Sequence, residues 1–475
     1  MVFSSITFLL YFLPIFLLLY FIADVKFKNL IVLLGSILFY SWGAPLFIFV
    51  ILGTTLLDFH LVKWMHNAQK RAYKRLLLIL SLSMNVGLLF YFKYFLFLID
   101  NLNNLLNIAG QKSIVWQDIV LPIGISFFTF ESLTYVIDVY RGVHKPLTKF
   151  WNYQLYIILF PKLIAGPIVR YHDIADQITD RFKTDSIDNK IAGLYQFVIG
   201  LSKKVIIANS VALYADKVFQ SDLHTLPTSS AWMGILCYTL QIYFDFAGYS
   251  DMAIGILKMM GFNIKANFNN PYSALSITDF WRRWHISLGA WMRNYLYIPL
   301  GGNRVNSKWR LYLNLWLVFL ASGLWHGASW NFVFWGAYHG LFLVLERSFL
   351  LNLLDKLWSP IRALLTFFIV AIGWVFFRID TFDNALLFIS KMFEFNSIEP
   401  IIVITPELIF YSSVAVLFSF IELSKVGRAL SDRFYKDVYT NKEAAVWGFI
   451  VLLLLVLNIS FLGSKGFNPF IYFRF

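Results

Sequence analysis

The sequence has little charge and almost no cysteine. Charged residues make up 14% of its 475 residues and hydrophobic residues 59%, whereas soluble domains average about 25% and about 45–50%. This composition excludes the two or three soluble domains that the length alone would suggest. Cys237 is the only cysteine, so no intrachain disulfide can form, and its apolar surroundings predict a packing role.

Sequence signatures of several enzyme classes are absent as well. The chain has no G-x-x-x-x-G-K-[ST] phosphate loop, no G-x-S-x-G nucleophile turn, and neither H-E-x-x-H nor C-x-x-C. A P-loop ATPase, a self-contained serine hydrolase and a zinc enzyme therefore find no support. We accordingly expect no metal site and no bound cofactor.

Apolar runs recur along the whole chain. A spanning helix needs about 20 apolar residues, and such runs lie near residues 5–23, 29–43, 45–62, 76–98, 119–137, 151–169, 191–214, 230–256, 311–325, 331–350, 361–377, 405–424 and 446–463. We predict an all-α polytopic membrane protein with about ten or more segments in the bilayer, some re-entrant or interfacial. We treat the chain as one integral membrane domain, with N-terminal helices in 1–110, a catalytic core at about 119–350 and C-terminal helices in 361–475.

Basic residues lie mostly in the short loops between these runs. The net charge of +13 fits the positive-inside rule, so we expect contact with membrane lipids and none with nucleic acid; a specific anionic ligand is the alternative. Residues 63–75 hold five basic and no acidic side chains, so this loop and residues 425–445 are predicted to be cytoplasmic. The first run has no basic n-region and no cleavage site, so we expect a retained membrane helix instead of a signal peptide.

The region 265–310 is too charged to cross a membrane. Ser276 and Asp279 fit a capping box, so we expect a helix to begin there and to end at Pro299. Its predicted apolar face consists of Phe280, Trp284, Leu288, Trp291 and Tyr295. A second stripe consists of Arg282, His285, Gly289 and Arg293. An aromatic face beside a basic stripe is typical of a helix lying along the membrane interface.

Polar side chains at membrane depth are candidates for function, because burying them there is costly. Small residues flank His326, namely Ser322, Gly323, Gly327 and Ala328, and they allow close approach of a substrate or of another helix. An imidazole can take a proton from a hydroxyl at neutral pH; the alternative is a histidine hydrogen-bonded within a helix bundle. For His285, local evidence favours a place at a polar surface.

Two further regions combine polar and apolar residues. One face of the run 230–256 carries Tyr238, Gln241, Asp245 and Gly248, and Asp251 lies on another. A buried aspartate here would pair with Arg282 or Arg283, or line a polar cavity, and we favour the structural role. In FPKLIAGPIVR, residues 160–170, prolines and a glycine break the helix around Lys162, as happens where backbone lines a cavity or packs within protein. Residues expected to serve packing or support are Glu131 and His339.

Ordered segments along nearly the whole chain resemble the membrane-bound O-acyltransferase family. One such segment is RRWHISLGAWMRNYLYIPLGGNR, followed downstream by LWHG. The closer similarity is to the membrane subunit of bacterial alginate O-acetylation systems. It is carried by MVFSS, LPIGISFFTFESLTYVIDVYRG, FPKLIAGPIVR, QIYFDFAGYSDMAIG, NFNNPYSALSITDFWRRWHISL and FIYFRF. A lone W-H-G would be a weak signal, but this many segments in order is a specific one.

The resemblance implies an enzyme of the bacterial inner membrane. Family members transfer an acyl group from a thioester, usually on coenzyme A, to a hydroxyl, and in this branch an acetyl group is destined for an exported polysaccharide. The family's essential histidine maps onto His326, and the second polar position of the motif maps onto His285. The implied fold is a ring of tilted helices, about 11–13 transmembrane, re-entrant and interfacial segments, around a central funnel.

Transfer to a hydroxyl needs a general base and donors for the developing oxyanion. We assign His326 as the base and His285 as an orienting or oxyanion-stabilising partner. From charge alone, we infer that Arg282, Arg293 and Arg304 hold the phosphates of the donor substrate acetyl-CoA. The residues expected to bind substrate or to support the site are Trp325, Arg282, Asp245, Gln241, Arg293 and Arg304.

The donor and the polymer lie on opposite sides of the membrane. We therefore expect the acetyl group to pass through the protein to an extracytoplasmic partner, either an SGNH-type acetyltransferase or the polysaccharide itself. The chain has no soluble domain large enough to grip a polymer, which favours a partner. Two alternatives stay open: D-alanyl transfer to teichoic acid within the same family, and a transporter or flippase without acyl chemistry.

Overall fold

The computed structural model describes residues 1–181, 184–395, 399–465 and 470–471. Within these ranges every regular element is a helix, which confirms the predicted all-α class. Most of the closing segment FIYFRF, residues 472–475, lies outside the described residues. The chain divides into two compact units, which are described separately.

The first unit consists of residues 1–190 and 257–264. Its helices are α1 (Leu13–Ile22), α2 (Val25–Gly43), α3 (Phe47–Asn67), α4 (Arg71–Leu89), α5 (Phe95–Ile108), α6 (Ile125–Arg141), α7 (Phe150–Ile158), α8 (Phe160–Leu163) and α9 (Tyr171–Thr179). Short π-helical turns lie at Phe8–Phe12 and Phe90–Tyr94.

The second unit consists of residues 191–256 and 265–475. The remaining helices are α10 (Ile187–Ser202), α11 (Asn209–Phe219), α12 (Thr228–Met259), α13 (Ile277–Arg283), α14 (Ile286–Trp291), α15 (Lys308–His326), α16 (Trp330–Leu345), α17 (Leu351–Leu354), α18 (Ser359–Arg378), α19 (Phe382–Met392), α20 (Pro406–Ser419), α21 (Lys425–Phe434) and α22 (Asn441–Lys465). π-Helical turns lie at Lys203–Ala208, Met292–Tyr297 and Glu346–Leu350, and 3₁₀ turns at Leu223–Thr225, Pro271–Ser273 and Ile421–Leu423.

Among the described residues, six helical stretches are long and apolar enough to cross a membrane. They are Val25–Gly43, Phe47–Asn67, Arg71–Ile108, Ile187–Phe219, Ser359–Arg378 and Asn441–Ser464. Shorter apolar helices cover Phe8–Ile22 and Pro406–Ser419. The other predicted runs form helices that are shorter, broken or more polar; α12, for example, carries the buried Asp245. The chain is a multi-pass membrane protein.

The helix break predicted around Lys162 is present in the first unit. α7 ends at Ile158, the four-residue α8 follows, and the chain then leaves helical geometry. Residues 160–169 are all buried, and Lys162 donates to Glu131 with both side chains fully buried. Gly124 has a φ of 78°, and a Cβ there would lie 2.5 Å from the Leu163 carbonyl oxygen. Of the two alternatives for this break, the structure supports packing within protein.

Candidate active site

His326 is the last residue of α15, and Gly327 then continues in extended geometry at φ −161°. The imidazole is 5% exposed and lies among aromatic rings. The centroids of Trp325, Trp335 and Phe377 lie 4.9, 5.0 and 5.2 Å away. Rings at these distances pack edge to face, so they restrict how the imidazole can turn and keep water from it.

The small residues around His326 serve helix packing. α15 and α16 form a hairpin, and a Cβ added at Gly323 would lie 2.1 Å from the Phe332 carbonyl oxygen. At Gly336 the corresponding distance to the Phe319 carbonyl oxygen is 2.4 Å. At Gly327 an added Cβ would lie 2.1 Å from the Phe332 ring. Of the two uses predicted for these residues, the structure shows close approach of another helix.

The predicted single helix from Ser276 to Pro299 is interrupted at His285. Ser276 Oγ accepts from the Asp279 amide at 3.0 Å, so the predicted start is confirmed. α13 nevertheless ends at Arg283, and α14 begins at Ile286. His285 between them has φ 45° and ψ 54°, a left-handed conformation that is strained for a residue with a side chain.

His285 is not at a polar surface, and that expectation was wrong. Its side chain is 2% exposed, because the break in the helix turns it away from the predicted basic stripe. The Phe246 ring meets the imidazole edge to face at 4.8 Å. Segment 265–307 lies outside the six candidate spans, and burial here lowers the pKa of His285 to about 3. The ring is therefore neutral at physiological pH.

Asn267 organises the segment around His285, and sequence reasoning did not single it out. Its Oδ1 lies 3.2 Å from His285 Nδ1 and accepts from the Ser287 amide at 3.1 Å and from Ser287 Oγ at 2.8 Å. Its Nδ2 donates to Ser250 Oγ at 3.0 Å. The asparagine is 1% exposed. Asn267 lies in NFNNPYS, a segment that belongs to the family resemblance and could have drawn attention to it. Asparagine-rich loops, however, are usually interpreted as turns.

Trp325 contacts both of the predicted catalytic histidines. Its ring centroid lies 5.9 Å from that of His285 and 4.9 Å from that of His326. The indole is 4% exposed. Two histidines 41 residues apart in sequence thus contact the same buried ring, and their catalytic roles stay predictions.

His339 lies behind this pair on α16. Its ring contacts Trp335 at 5.1 Å and Trp281 at 4.9 Å, and Trp335 in turn contacts His326. The side chain is fully buried, and neither ring nitrogen has a hydrogen-bond partner among the described residues. This position suits the packing or supporting role predicted for it.

The polar face of α12 pairs with lysines. Asp245 lies 2.9 Å from Lys204, and Asp251 lies 2.7 Å from Lys203. The predicted pairing with Arg282 or Arg283 is therefore wrong, because the π-helical turn after α10 brings two lysines to the aspartates. Gly248 allows this approach, since a Cβ there would lie 2.6 Å from the Gly200 carbonyl oxygen.

The other predicted members of this face are also buried. Gln241 is 5% exposed, and its Oε1 accepts no hydrogen bond from any described residue. Asp245 Oδ2 additionally accepts from the Ile471 amide at 3.0 Å, so the aspartate ties the chain's last described residues to α12. The geometry supports a structural role for Asp245.

The arginines of the central segment divide into two kinds. Arg283 is engaged, with Asp279 at 3.1 Å and Glu422 at 2.7 Å. The exposed arginines are Arg282, Arg293 and Arg304. Within the described part of the chain, no carboxylate pairs with any of these three. They remain available to an anionic ligand.

Both histidines lie in a segment whose sequence matches a known protein family. Residues 143–379 match the family described as "MBOAT, membrane-bound O-acyltransferase family". The "Probable alginate O-acetylase AlgI" of Pseudomonas aeruginosa is 44% identical over 399 residues, which cover 84% of this chain and 76% of that protein. The chain belongs to the membrane-bound O-acyltransferase family. Membership confirms the resemblance and makes the protein an acyltransferase, which counts against a transporter without acyl chemistry.

Further relatives of the family show what this chain is similar to. The "Probable alginate O-acetylase AlgI" of Pseudomonas putida is 38% identical over the full length of both chains. The "Peptidoglycan O-acetyltransferase" of Helicobacter pylori is 38% identical over 84% of this chain and 81% of that protein. More distant is the "Teichoic acid D-alanyltransferase" of Bacillus subtilis, 29% identical over 56% of this chain and 71% of that protein.

Proposed function

We propose that the protein is an O-acetyltransferase of the bacterial inner membrane that moves acetyl groups from acetyl-CoA toward hydroxyls of an exported polysaccharide. The observation that carries this proposal is the pair of buried imidazoles, His285 and His326, joined by the Trp325 indole. The names of the more similar relatives support the acetyl group and the polymer class, since they refer to alginate and peptidoglycan.

His326 would serve as the general base. It takes the proton of the attacking hydroxyl while the oxygen forms a bond to the thioester carbonyl carbon. The carbon–sulfur bond then breaks, and the departing thiolate takes the proton from the imidazolium to leave as coenzyme A thiol. Such proton transfer contributes about 10²–10⁴-fold. Rings of Trp335 and Phe377 against His326 support this role, because they keep out water that would hydrolyse the thioester.

Positively charged side chains would hold the acetyl-CoA donor. Coenzyme A carries phosphates, and guanidinium groups bind phosphate through charge-assisted hydrogen bonds. Arg282, Arg293 and Arg304 are exposed and lie in the segment that also carries His285. Their lack of carboxylate partners in the described residues supports this assignment.

The acceptor would lie outside the cytoplasm. Alginate and peptidoglycan, the polymers in the relatives' names, are found outside the cytoplasmic membrane, whereas acetyl-CoA is cytoplasmic. We infer that a serine of an SGNH-type partner receives the acetyl group and passes it to the sugar. Both compact units contain candidate spans, so the described residues form no separate soluble domain, which is consistent with such a partner.

Transfer from labelled acetyl-CoA in proteoliposomes tests the proposal. The purified protein is compared with His326→Ala and with His224→Ala, a matched control at an exposed histidine, with extracytoplasmic extract added to supply a partner. We expect label on protein or glycan with wild type and His224→Ala, and none with a folded His326→Ala. No transfer and no thioester hydrolysis with any acyl-CoA would overturn the donor assignment.

D-alanyl transfer is the second candidate, because one relative is a teichoic acid D-alanyltransferase. The same proteoliposomes can be offered a D-alanyl carrier-protein thioester. Turnover of this donor without turnover of acetyl-CoA would favour the alternative. The lower identity and coverage of that relative make acetyl transfer the better supported function.

A further inference from the structure

The backbone around His285 is held from both sides. The Ile286 amide donates to the Asn267 carbonyl at 2.9 Å, and the Asn269 amide donates to the Arg283 carbonyl at 2.9 Å. These two hydrogen bonds lie on either side of the left-handed His285. A strained residue persists only where its surroundings fix it, so the 267–269 segment holds His285 in place.

The hydrogen bonds of Asn267 also determine which nitrogen of His285 carries the proton. The Ser287 backbone N–H can only donate, and it points to one end of the Asn267 amide at 3.1 Å. That end must therefore be the oxygen. His285 Nδ1 faces the same oxygen at 3.2 Å, so Nδ1 must carry the hydrogen. In the neutral ring, Nε2 then carries the lone pair.

This leaves His285 Nε2 as a buried acceptor. No described residue donates to it, although the ring is 2% exposed and a buried polar atom without a partner is costly. The groups facing the ring are Asn267, Ser287 and the rings of Phe246, Phe268 and Trp325. None of these is charged, and the Trp325 ring also contacts His326.

We propose that Asn267 is a positioning residue that holds His285 in the Nδ1–H tautomer, so that its buried Nε2 accepts a hydrogen bond from substrate during acyl transfer. This inference rests on the proposed function and refines it. An oxyanion-stabilising His285 would need a hydrogen on Nε2, whereas the lone pair there suits an O–H or N–H donor. That donor is either the acceptor's hydroxyl or an amide of the pantetheine arm of coenzyme A.

Three variants test the role of Asn267. Asn267→Ala removes the oxygen that fixes the tautomer, and we expect kcat to fall roughly 10–100-fold, the loss expected when one buried hydrogen bond is misplaced. Asn267→Asp keeps an acceptor at the same place and should retain much of the activity. Asn352→Ala, at an exposed asparagine on α17, is the matched control and should behave like wild type.

The pH profile separates positioning from a structural role. The carboxylate in Asn267→Asp favours the imidazolium, so the pKa of His285 rises in that variant. The protonated ring cannot accept at Nε2, so we expect activity at high pH that is lost as pH falls through the raised pKa. Protonation of the proposed base His326 already gives wild type one acid limb, so the profile of Asn267→Asp should fall more steeply, or at higher pH, than that of wild type. The KM values for acetyl-CoA and for the hydroxyl acceptor in Asn267→Ala identify which substrate donates to Nε2.

A spectroscopic experiment measures the His285 tautomer independently of acetyl transfer. ¹⁵N NMR of histidine-labelled protein, with His285→Ala for assignment, should show a protonated Nδ1 and an unprotonated Nε2 in wild type. A mixture of tautomers is expected in Asn267→Ala. A protonated Nε2 in wild type, or a folded Asn267→Ala with unchanged kcat, would overturn the proposal. If no acyl donor turns over but the NMR result is as expected, the proposed reaction fails and the positioning by Asn267 stands.

Discussion

The hairpin of α15 and α16 makes one prediction that can be worked from distances. An alanine at Gly323 would place its Cβ 2.1 Å from the Phe332 carbonyl oxygen and 3.1 Å from the carbonyl carbon. These atoms belong to the Phe332 backbone, which cannot rotate away from the new Cβ as a side chain could. The distance between the added Cβ and this oxygen must therefore grow by more than about 1 Å, to about 3.5 Å, before ordinary van der Waals contact is restored.

The expected cost follows from two opposing effects. Overpacking costs about 1–3 kcal/mol, and a backbone obstacle places Gly323→Ala near the upper value. Alanine improves helix propensity by about 1 kcal/mol. The net loss of stability is then about 2 kcal/mol, or a few degrees in melting temperature. His326 follows on the same helix, and a 1 Å misplacement of a catalytic group can cost about 10²-fold in rate.

Gly53→Ala is the matched control. Gly53 also lies inside a helix, α3, but no atom of the described residues lies within 4 Å of its added Cβ. This variant should be neutral or more stable by about 0.4–1 kcal/mol. Both proteins are compared by thermal unfolding in detergent and by acetyl transfer in proteoliposomes. If Gly323→Ala melts and turns over like Gly53→Ala, the close approach of α15 and α16 is refuted.

Three further predictions concern charged residues. Glu346 accepts from two backbone amides at the start of α13, at 2.6 and 2.8 Å. Glu346→Ala should therefore lower kcat about tenfold, and Glu346→Gln should have an intermediate kcat. Equal kcat values for wild type and both variants would contradict this prediction. Arg282→Glu and Arg293→Glu should each raise KM for acetyl-CoA about tenfold, and an unchanged KM would remove them from the donor site. Lys162→Met leaves the buried Glu131 carboxylate without its partner and should lower the free energy of unfolding by about 3–5 kcal/mol. The double variant with Glu131→Leu should recover most of this stability. If the two single losses simply add in the double variant, the ion pair is not supported.

Several features of the fold and site could be predicted from sequence because they depend on local chemistry. The capping box at Ser276 and the break around Lys162 follow from residue types at fixed spacing. The two histidines were candidates from local sequence and received their predicted roles through the motif shared with the family. These signals need no knowledge of what lies across the structure.

Features set by distant contacts could not be predicted in this way. The aromatic spacing through Trp284 is continuous, so nothing local reveals that hydrogen bonds from Asn267 break the helix at His285. Likewise, the charge of Asp245 predicts a cationic partner but does not distinguish an arginine on the next segment from Lys204 on another helix. In both cases tertiary structure overrides a local pattern that is consistent with more than one outcome.

The W-H-G motif can now be explained residue by residue. Trp325 supplies the ring that contacts both imidazoles, with centroids 5.9 Å from His285 and 4.9 Å from His326. His326 supplies the proposed base at the end of α15. A Cβ at position 327 would lie 2.1 Å from the Phe332 ring. Glycine at this position therefore lets α16 pack close enough for its Trp335 to contact His326. A change at any of the three positions should therefore disturb the same site for a different physical reason: the pairing of the histidines, the proton transfer, or the closure of the hairpin.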